Sequence, residues 1–229
     1  MLKTENITVS YETSIVLKNL YLSFYPGEVH GILGVNGSGK TTLFRTICGL
    51  LKVDQGIIAY DNHSDLSKKI AYLETEPFFY PYMRGTEYLK LLSYDSKTSD
   101  IRLWRDLFKI PLDNFIETYS TGMKKKLALI GVLLLDRPVI LLDEPHNGLD
   151  LEGVSYLDRI LSELKKKGKI VIVSSHIVEV LRKNCDKISL LHNRNVKTTL
   201  ENSDFSMLET EISSFFSNSS DAIIKQLFG

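Results

Sequence analysis

Residues 34–41 read Gly34-Val35-Asn36-Gly37-Ser38-Gly39-Lys40-Thr41, a full match to G-x-x-x-x-G-K-[ST]. Each part of that pattern has a physical use. A polyphosphate carries several negative charges and has to be approached closely by backbone N–H groups. Glycines allow the tight turn and keep Cβ atoms out of the way. A helix that follows points its positive end at the anion. Lys40 is placed to reach β- and γ-phosphates, and the Thr41 hydroxyl is suited to Mg²⁺. Average residue usage gives such a match by accident roughly once in a hundred chains of this length. The flanks lower that further: Val29-His30-Gly31-Ile32-Leu33 reads as a buried strand, and residues 41–50 have helical character ending near Gly49.

The rest of the chain alternates strands and helices. Residues 1–33 read as short strands, with Leu20-Tyr21-Leu22-Ser23-Phe24 alternating and Pro26-Gly27 marking a turn. Ile57-Ile58-Ala59-Tyr60 and Ile70-Ala71-Tyr72-Leu73 return to strands. From about Met83 to Leu135 the pattern turns helical, broken at Pro111; Tyr88, Leu91 and Leu92 share one face, and Ile101, Trp104, Leu107 and Phe108 another. Val139-Ile140-Leu141-Leu142 is an apolar strand. Asp150 is a cap for a helix striped by Val154, Leu157, Ile160, Leu161 and Leu164 and ended at Gly168, and residues 169–173 form another buried strand. This order predicts an α/β fold with a parallel sheet covered on both faces and a helical insert.

Composition narrows the function. Twenty-eight basic and twenty-eight acidic residues balance, so nothing in the charge argues for nucleic acid. No apolar run is long enough to span a bilayer, and the start Met1-Leu2-Lys3-Thr4-Glu5-Asn6 lacks the apolar stretch of a leader. Cys48 and Cys185 are the only cysteines, as expected of a reducing cytosol.

A second motif closes the 139–142 strand: Asp143-Glu144-Pro145. With a phosphate loop upstream, an Asp there holds Mg²⁺ and the next carboxylate orients or deprotonates an attacking water. By itself the pair also fits a strand leaving the core for solvent. A third motif is Tyr119-Ser120-Thr121-Gly122-Met123, where a Ser hydroxyl and free N–H groups at a helix start make either a second anion site or a plain cap.

This third motif resembles the signature of ABC ATPases, usually Leu-Ser-Gly-Gly-Gln; Ser120 and Gly122 match, and Thr121 and Met123 depart. Gly148-Leu149-Asp150 resembles the family's D-loop, and Ser174-Ser175-His176 its switch histidine. Tyr11 lies where an aromatic stacks on adenine. The resemblance covers the chain through about Asn195 and is closest in style to the bacterial drug and peptide-antibiotic export branch. It implies a P-loop, RecA-like core with a mainly parallel sheet, an antiparallel β subdomain and an inserted helical subdomain at about 76–135. The ATPase domain would occupy 1–200, followed by a tail, 201–229, of short helices or partly disordered chain.

The resemblance further implies ATP and Mg²⁺ as ligands. Nucleotide contacts fall to Tyr11, Gly34, Val35, Asn36, Gly37, Ser38, Gly39, Lys40, Thr41 and Thr42, with Ser120 and Gly122 acting across a head-to-tail dimer. Lys40, Glu144 and His176 carry the chemistry, and Thr41, Asp143 and Thr75 the metal. The implied partners are a second ABC ATPase subunit, identical or not, and a transmembrane permease that holds the chain at the inner face of the membrane. No nucleic acid is expected.

The family's usual Gln is here Thr75, between Glu74 and Glu76, which leaves sensing of metal and γ-phosphate by this loop open and keeps alive a subunit that senses ATP with little turnover. A soluble ABC ATPase acting on ribosomes or DNA is a further alternative, weakened by the single domain, the short insert and the neutral charge. Phe78-Phe79-Tyr80-Pro81-Tyr82 reads either as a docking groove for the permease or as packing for the helical insert. Lys124-Lys125-Lys126 reads as a solvated helix face, His146 as a surface or interface residue, and His30, His63 and His192 as structural or surface.

Overall fold

The structure is a computed structural model, and it describes residues 1–61, 66, 68–93 and 100–216, without the side chains of 213–216. His63 and residues 217–229 therefore lie outside the described residues. The elements run β1 (Leu2–Tyr11), β2 (Ser14–Phe24), β3 (Glu28–Leu33), α1 (Lys40–Ile47), β4 (Gln55–Tyr60), β5 (Ile70–Leu73), α2 (Gly85–Leu92), α3 (Ile101–Phe108), a 3-10 turn (Ile116–Thr118), α4 (Thr121–Leu134), β6 (Val139–Leu142), α5 (Leu151–Lys166), β7 (Ile170–Ser175), α6 (Val178–Asn184), β8 (Lys187–His192), β9 (Asn195–Glu201), a 3-10 segment (Asn202–Met207) and α7 (Leu208–Phe216).

Two sheets carry these elements. β2, β1 and β4 form an antiparallel three-stranded sheet, and β5-β6-β7-β3-β8-β9 a six-stranded one. In the larger sheet every pairing is parallel except β8 with β9. The central strands β3, β6 and β7 are buried along nearly their whole length because both faces of the sheet are covered, so neither residue parity meets water. The first strands are longer than the short ones expected. β1 and β2 pair through ten and eleven residues, with register irregularities along the ladder. β2 alternates as the sequence suggests, with Leu20 and Phe24 buried and Tyr21 exposed.

The core falls into two clusters. One lies between the small sheet and α1, around Leu17, Phe24, Ile32, Phe44 and Ile172. The other joins the opposite face of the large sheet to the helical segment, through Leu89, Phe108, Ile110, Leu127, Ile130, Leu142 and Leu157. Phe205 and Leu208 are buried in this second cluster as well.

The helices α2, α3 and α4 lie where the sequence places its helical insert, with one correction. In α2 the fully buried residue is Leu89, flanked by Tyr88 and Leu92, whereas Leu91 points to solvent. With three neighbouring apolar positions, Leu89 to Leu92, periodicity alone does not choose the inward one. α5 follows expectation: Asp150 caps it by accepting from the Gly153 amide at 2.8 Å, Leu157 and Leu161 are buried, and lysines close its last turn.

Candidate active site

Parallel strands end together, and here four of them deliver polar residues to one edge. β3 leads into the glycine loop, β5 into Glu74 and Thr75, β6 into Asp143 and Glu144, and β7 into His176. The register brings Leu33 beside Ser175, Leu142 beside Val173 and Leu73 beside Leu142, so these carboxyl ends are level. Ligand sites of open α/β sheets form at such an edge.

The glycine loop then turns onto α1. Gly39 stands at the N-cap with φ 106°, a conformation that costs a side-chain-bearing residue dearly. The first amides of α1 are free of intrahelical partners, as at any helix start. Ser38 Oγ is buried with no partner, so the loop holds a donor that an anion would satisfy. A cavity of about 230 Å³ opens here, lined by Val16, Asn36, Gly37, Gly39, Lys40, Thr41, Thr42, Thr75 and Glu144.

The charged groups are held tightly. The Lys40 side chain is 6% exposed, and its Nζ donates to the carbonyls of Gly34 at 2.7 Å and Val35 at 3.2 Å. It also lies 3.3 Å from Glu144 Oε1. Glu144 Oε1 is in turn 3.1 Å from His176 Nδ1, and Asn147 reaches the other carboxylate oxygen at 3.4 Å. Glu144 has φ 46°, a left-handed backbone that turns its carboxylate back into the cavity edge. Asp143 is fully buried. It accepts from Thr41 Oγ1 at 2.6 Å and from Ser174 Oγ, with Tyr72 OH 3.5 Å away. Ser174 Oγ also accepts from the Glu144 amide at 2.9 Å, so one hydroxyl fixes both acidic residues. Nothing in the sequence marked that role beyond a small hydroxyl residue at the end of an apolar strand.

The donor set suits Mg²⁺. Thr41 and Asp143 put two hard oxygens together, Thr75 lines the same cavity, and Mg²⁺ takes one or two protein oxygens and completes its shell with phosphates and water. Among the described residues, no group of three His, Cys, Asp or Glu gathers as a metal cage.

Other candidates fall outside the cavity. Tyr11 ends β1, is 44% exposed and does not line the cavity. Ser120 and Gly122 do not line the cavity within one chain. Ser120 is exposed and caps α4, accepting from the Met123 amide at 3.2 Å. Gly122 packs against the Gly148 turn, where a Cβ would come 2.7 Å from the Gly148 carbonyl.

Two expectations need correction, and a third question left open is answered ring by ring. The lysine run is not a solvated face: Lys125 is buried, and Lys126 pairs with Asp150 at 2.8 Å. His146 is not a surface residue, because its side chain is 8% exposed and its Nε2 lies 3.1 Å from Asp158 Oδ1, with burial lowering its pKa. The aromatic loop divides between the two readings: Phe78, Tyr80 and Tyr82 are exposed, while Phe79 packs on the core with its ring edge-on to Tyr88. His30 is structural, as expected, and both cysteines are free, with burial pushing the Cys48 thiol up to about 12.

Sheet topology, glycine loop and acidic strand end together define a P-loop nucleotide-binding protein. Comparison with known proteins narrows this to one family. The family described as ABC transporter matches residues 17–147, and the chain belongs to it. An ABC transporter ATP-binding protein of Bacillus subtilis, YdbJ, is 31% identical over 209 residues, covering 86% of this chain and 68% of that protein. The lantibiotic transport ATP-binding protein SrtF of Streptococcus pyogenes is 29% identical over 200 residues, covering 84% of this chain and 87% of its own. A solved structure described as the ATP-binding subunit of an ABC transporter superposes with a TM-score of 0.83 at 25% identity over the whole of both chains.

Proposed function

We propose that this chain is the ATP-hydrolysing subunit of an ABC transporter, working as a dimer and driving export through a separate membrane permease. The observation that carries the hydrolytic part is the position of Glu144, at the cavity wall between Lys40 and His176. Phosphates entering the loop take Lys40 over from Glu144 and meet Ser38 and the α1 amides. The freed carboxylate then faces the γ-phosphate. It accepts a proton from water as the water oxygen bonds to phosphorus and the bond to the bridging oxygen of ADP breaks. His176 holds the carboxylate in place, and Thr41 and Asp143 would hold Mg²⁺, which would supply positive charge against that developing on the phosphates.

Dimerisation is supported by Ser120, an exposed anion-suited helix start that has no part in its own chain's cavity. Coupling to a permease is supported by the exposed rings of Phe78, Tyr80 and Tyr82. Export is supported by the likeness to a lantibiotic transport protein. No helix among the described residues is long and apolar enough to cross a membrane, in keeping with a separate permease and a peripheral place at the inner face. Thr75 in the cavity wall favours a second reading, a subunit that binds ATP and turns it over little.

Mg²⁺-dependent ATP hydrolysis across a range of protein concentrations separates the two. Activity rising more than linearly with concentration, and lost in Lys40→Ala and Glu144→Gln, is the expected result. Binding without turnover at every concentration sinks the hydrolytic reading in favour of the second.

A further inference from the structure

Lys125 stands in the first turns of α4, between two lysines, yet its side chain is 3% exposed. Its ammonium donates to three carbonyls: Thr75 at 2.9 Å, Glu74 at 3.3 Å and Asp143 at 3.4 Å. An ammonium has three protons to place, and each finds a backbone oxygen from outside its own helix. Two of these oxygens belong to the turn after β5 and one to the end of β6. From the other side, the Glu74 carboxylate pairs with Arg45 of α1 at 3.4 Å. The 74–75 turn is thus tied to the glycine-loop helix by Arg45 and to the Ser120-capped helix by Lys125.

Burial works against the charge and pulls the Lys125 pKa down to about 8, while Asp143, Glu144 and Glu76 act to keep the proton on. A polar group placed in the interior at such a cost, with its hydrogen bonds filled, fixes geometry more than it adds stability. Because the link runs through the carbonyl of Thr75, it does not depend on the length of that residue's side chain.

We propose that Lys125 is a positioning residue for hydrolysis: through the Thr75 and Asp143 carbonyls it sets the signature helix, the 74–75 turn and the acidic strand end in one register. Lys125 does not line the cavity, so its loss slows the chemical step and leaves ATP binding in place. The catalytic half of this inference rests on the hydrolytic reading above.

The test compares the full chain with Lys125→Met, which keeps the bulk and removes the donors, and Lys125→Gln, which keeps two donors. Amide hydrogen exchange of residues 73–76 is read without nucleotide, and kcat and KM with MgATP. In Lys125→Met, exchange of 73–76 is expected to quicken about ten-fold with β7 unchanged, and kcat to fall about ten-fold with KM within about three-fold. Lys125→Gln is expected to recover about half of each effect on a logarithmic scale. Unchanged exchange at 73–76 overturns the proposal, as does unchanged kcat. Equal acceleration of 73–76 and β7 in both variants overturns it too, since it marks a lysine that only stabilises the fold. A wild-type chain that binds ATP without turnover sinks the hydrolytic reading separately, and exchange at 73–76 then decides whether Lys125 sets the register.

Discussion

The Lys40 ammonium and the Glu144 carboxylate lie 3.3 Å apart, both almost wholly buried. An incoming phosphate therefore competes with a carboxylate already on the lysine. Glu144→Gln removes that competitor and its repulsion of the γ-phosphate. ATP is expected to bind about ten-fold tighter, worth about 1.4 kcal/mol. Hydrolysis is expected to fall by about 10²-fold or more, the usual share of a general base. Titration with a fluorescent ATP analogue and a phosphate-release assay read the two effects. Weaker binding in the variant would mean that Glu144 helps hold nucleotide.

Ser174 is fully buried and links Asp143 to the Glu144 amide. Ser174→Ala leaves that amide without its acceptor, at a cost of about 1–3 kcal/mol. A lower denaturant midpoint at unchanged slope is the expected signature, accompanied by slower hydrolysis. Unchanged stability would show that water replaces the hydroxyl.

Adjacent rings in the aromatic loop are expected to behave differently. Phe79→Ala takes a ring from beside Tyr88 and should cost about 1–3 kcal/mol. Phe78→Ala removes an exposed ring and should stay within about 0.5 kcal/mol. Thermal melts of the isolated chain test both. Co-purification with the membrane subunit should be sensitive to Phe78 and not follow stability.

His30 gives a pH dependence of defined sign. Burial, aided by the Lys187 charge, lowers its pKa from the ordinary 6.5 to about 3. Its Nε2 shares a hydrogen bond with Ser189 at 2.8 Å, and Phe24 packs edge-on to the ring. The folded chain keeps the ring neutral, whereas the unfolded chain takes up a proton near pH 6.5. This contribution to stability is complete above 6.5 and is lost as pH falls toward 3, by up to about 1.4 kcal/mol per pH unit. His30→Asn should flatten that part of the profile in denaturation curves at pH 7.5, 6 and 5. Parallel curves for the two proteins would remove His30 as the cause.

What the sequence by itself determined is what lies close together along the chain. The glycine loop, the acidic strand end and the Asp150 cap are runs of neighbouring residues whose chemistry depends on spacing, and the apolar strands around them dictate a sheet covered on both faces. Tertiary structure decided everything that depends on direction. Three consecutive lysines leave a helix at successive steps of about 100°, and only the packing of α4 over β5 and β6 turns Lys125 inward, toward carbonyls 18 to 51 residues away. His146 finds Asp158 across the turn between β6 and α5, Ser174 finds Asp143 on a neighbouring strand, and Leu89 rather than Leu91 faces the core for the same reason. A side chain's type is written in the sequence. Its partner is fixed only when elements distant along the chain are packed against one another, because burial and hydrogen bonding are settled by that packing.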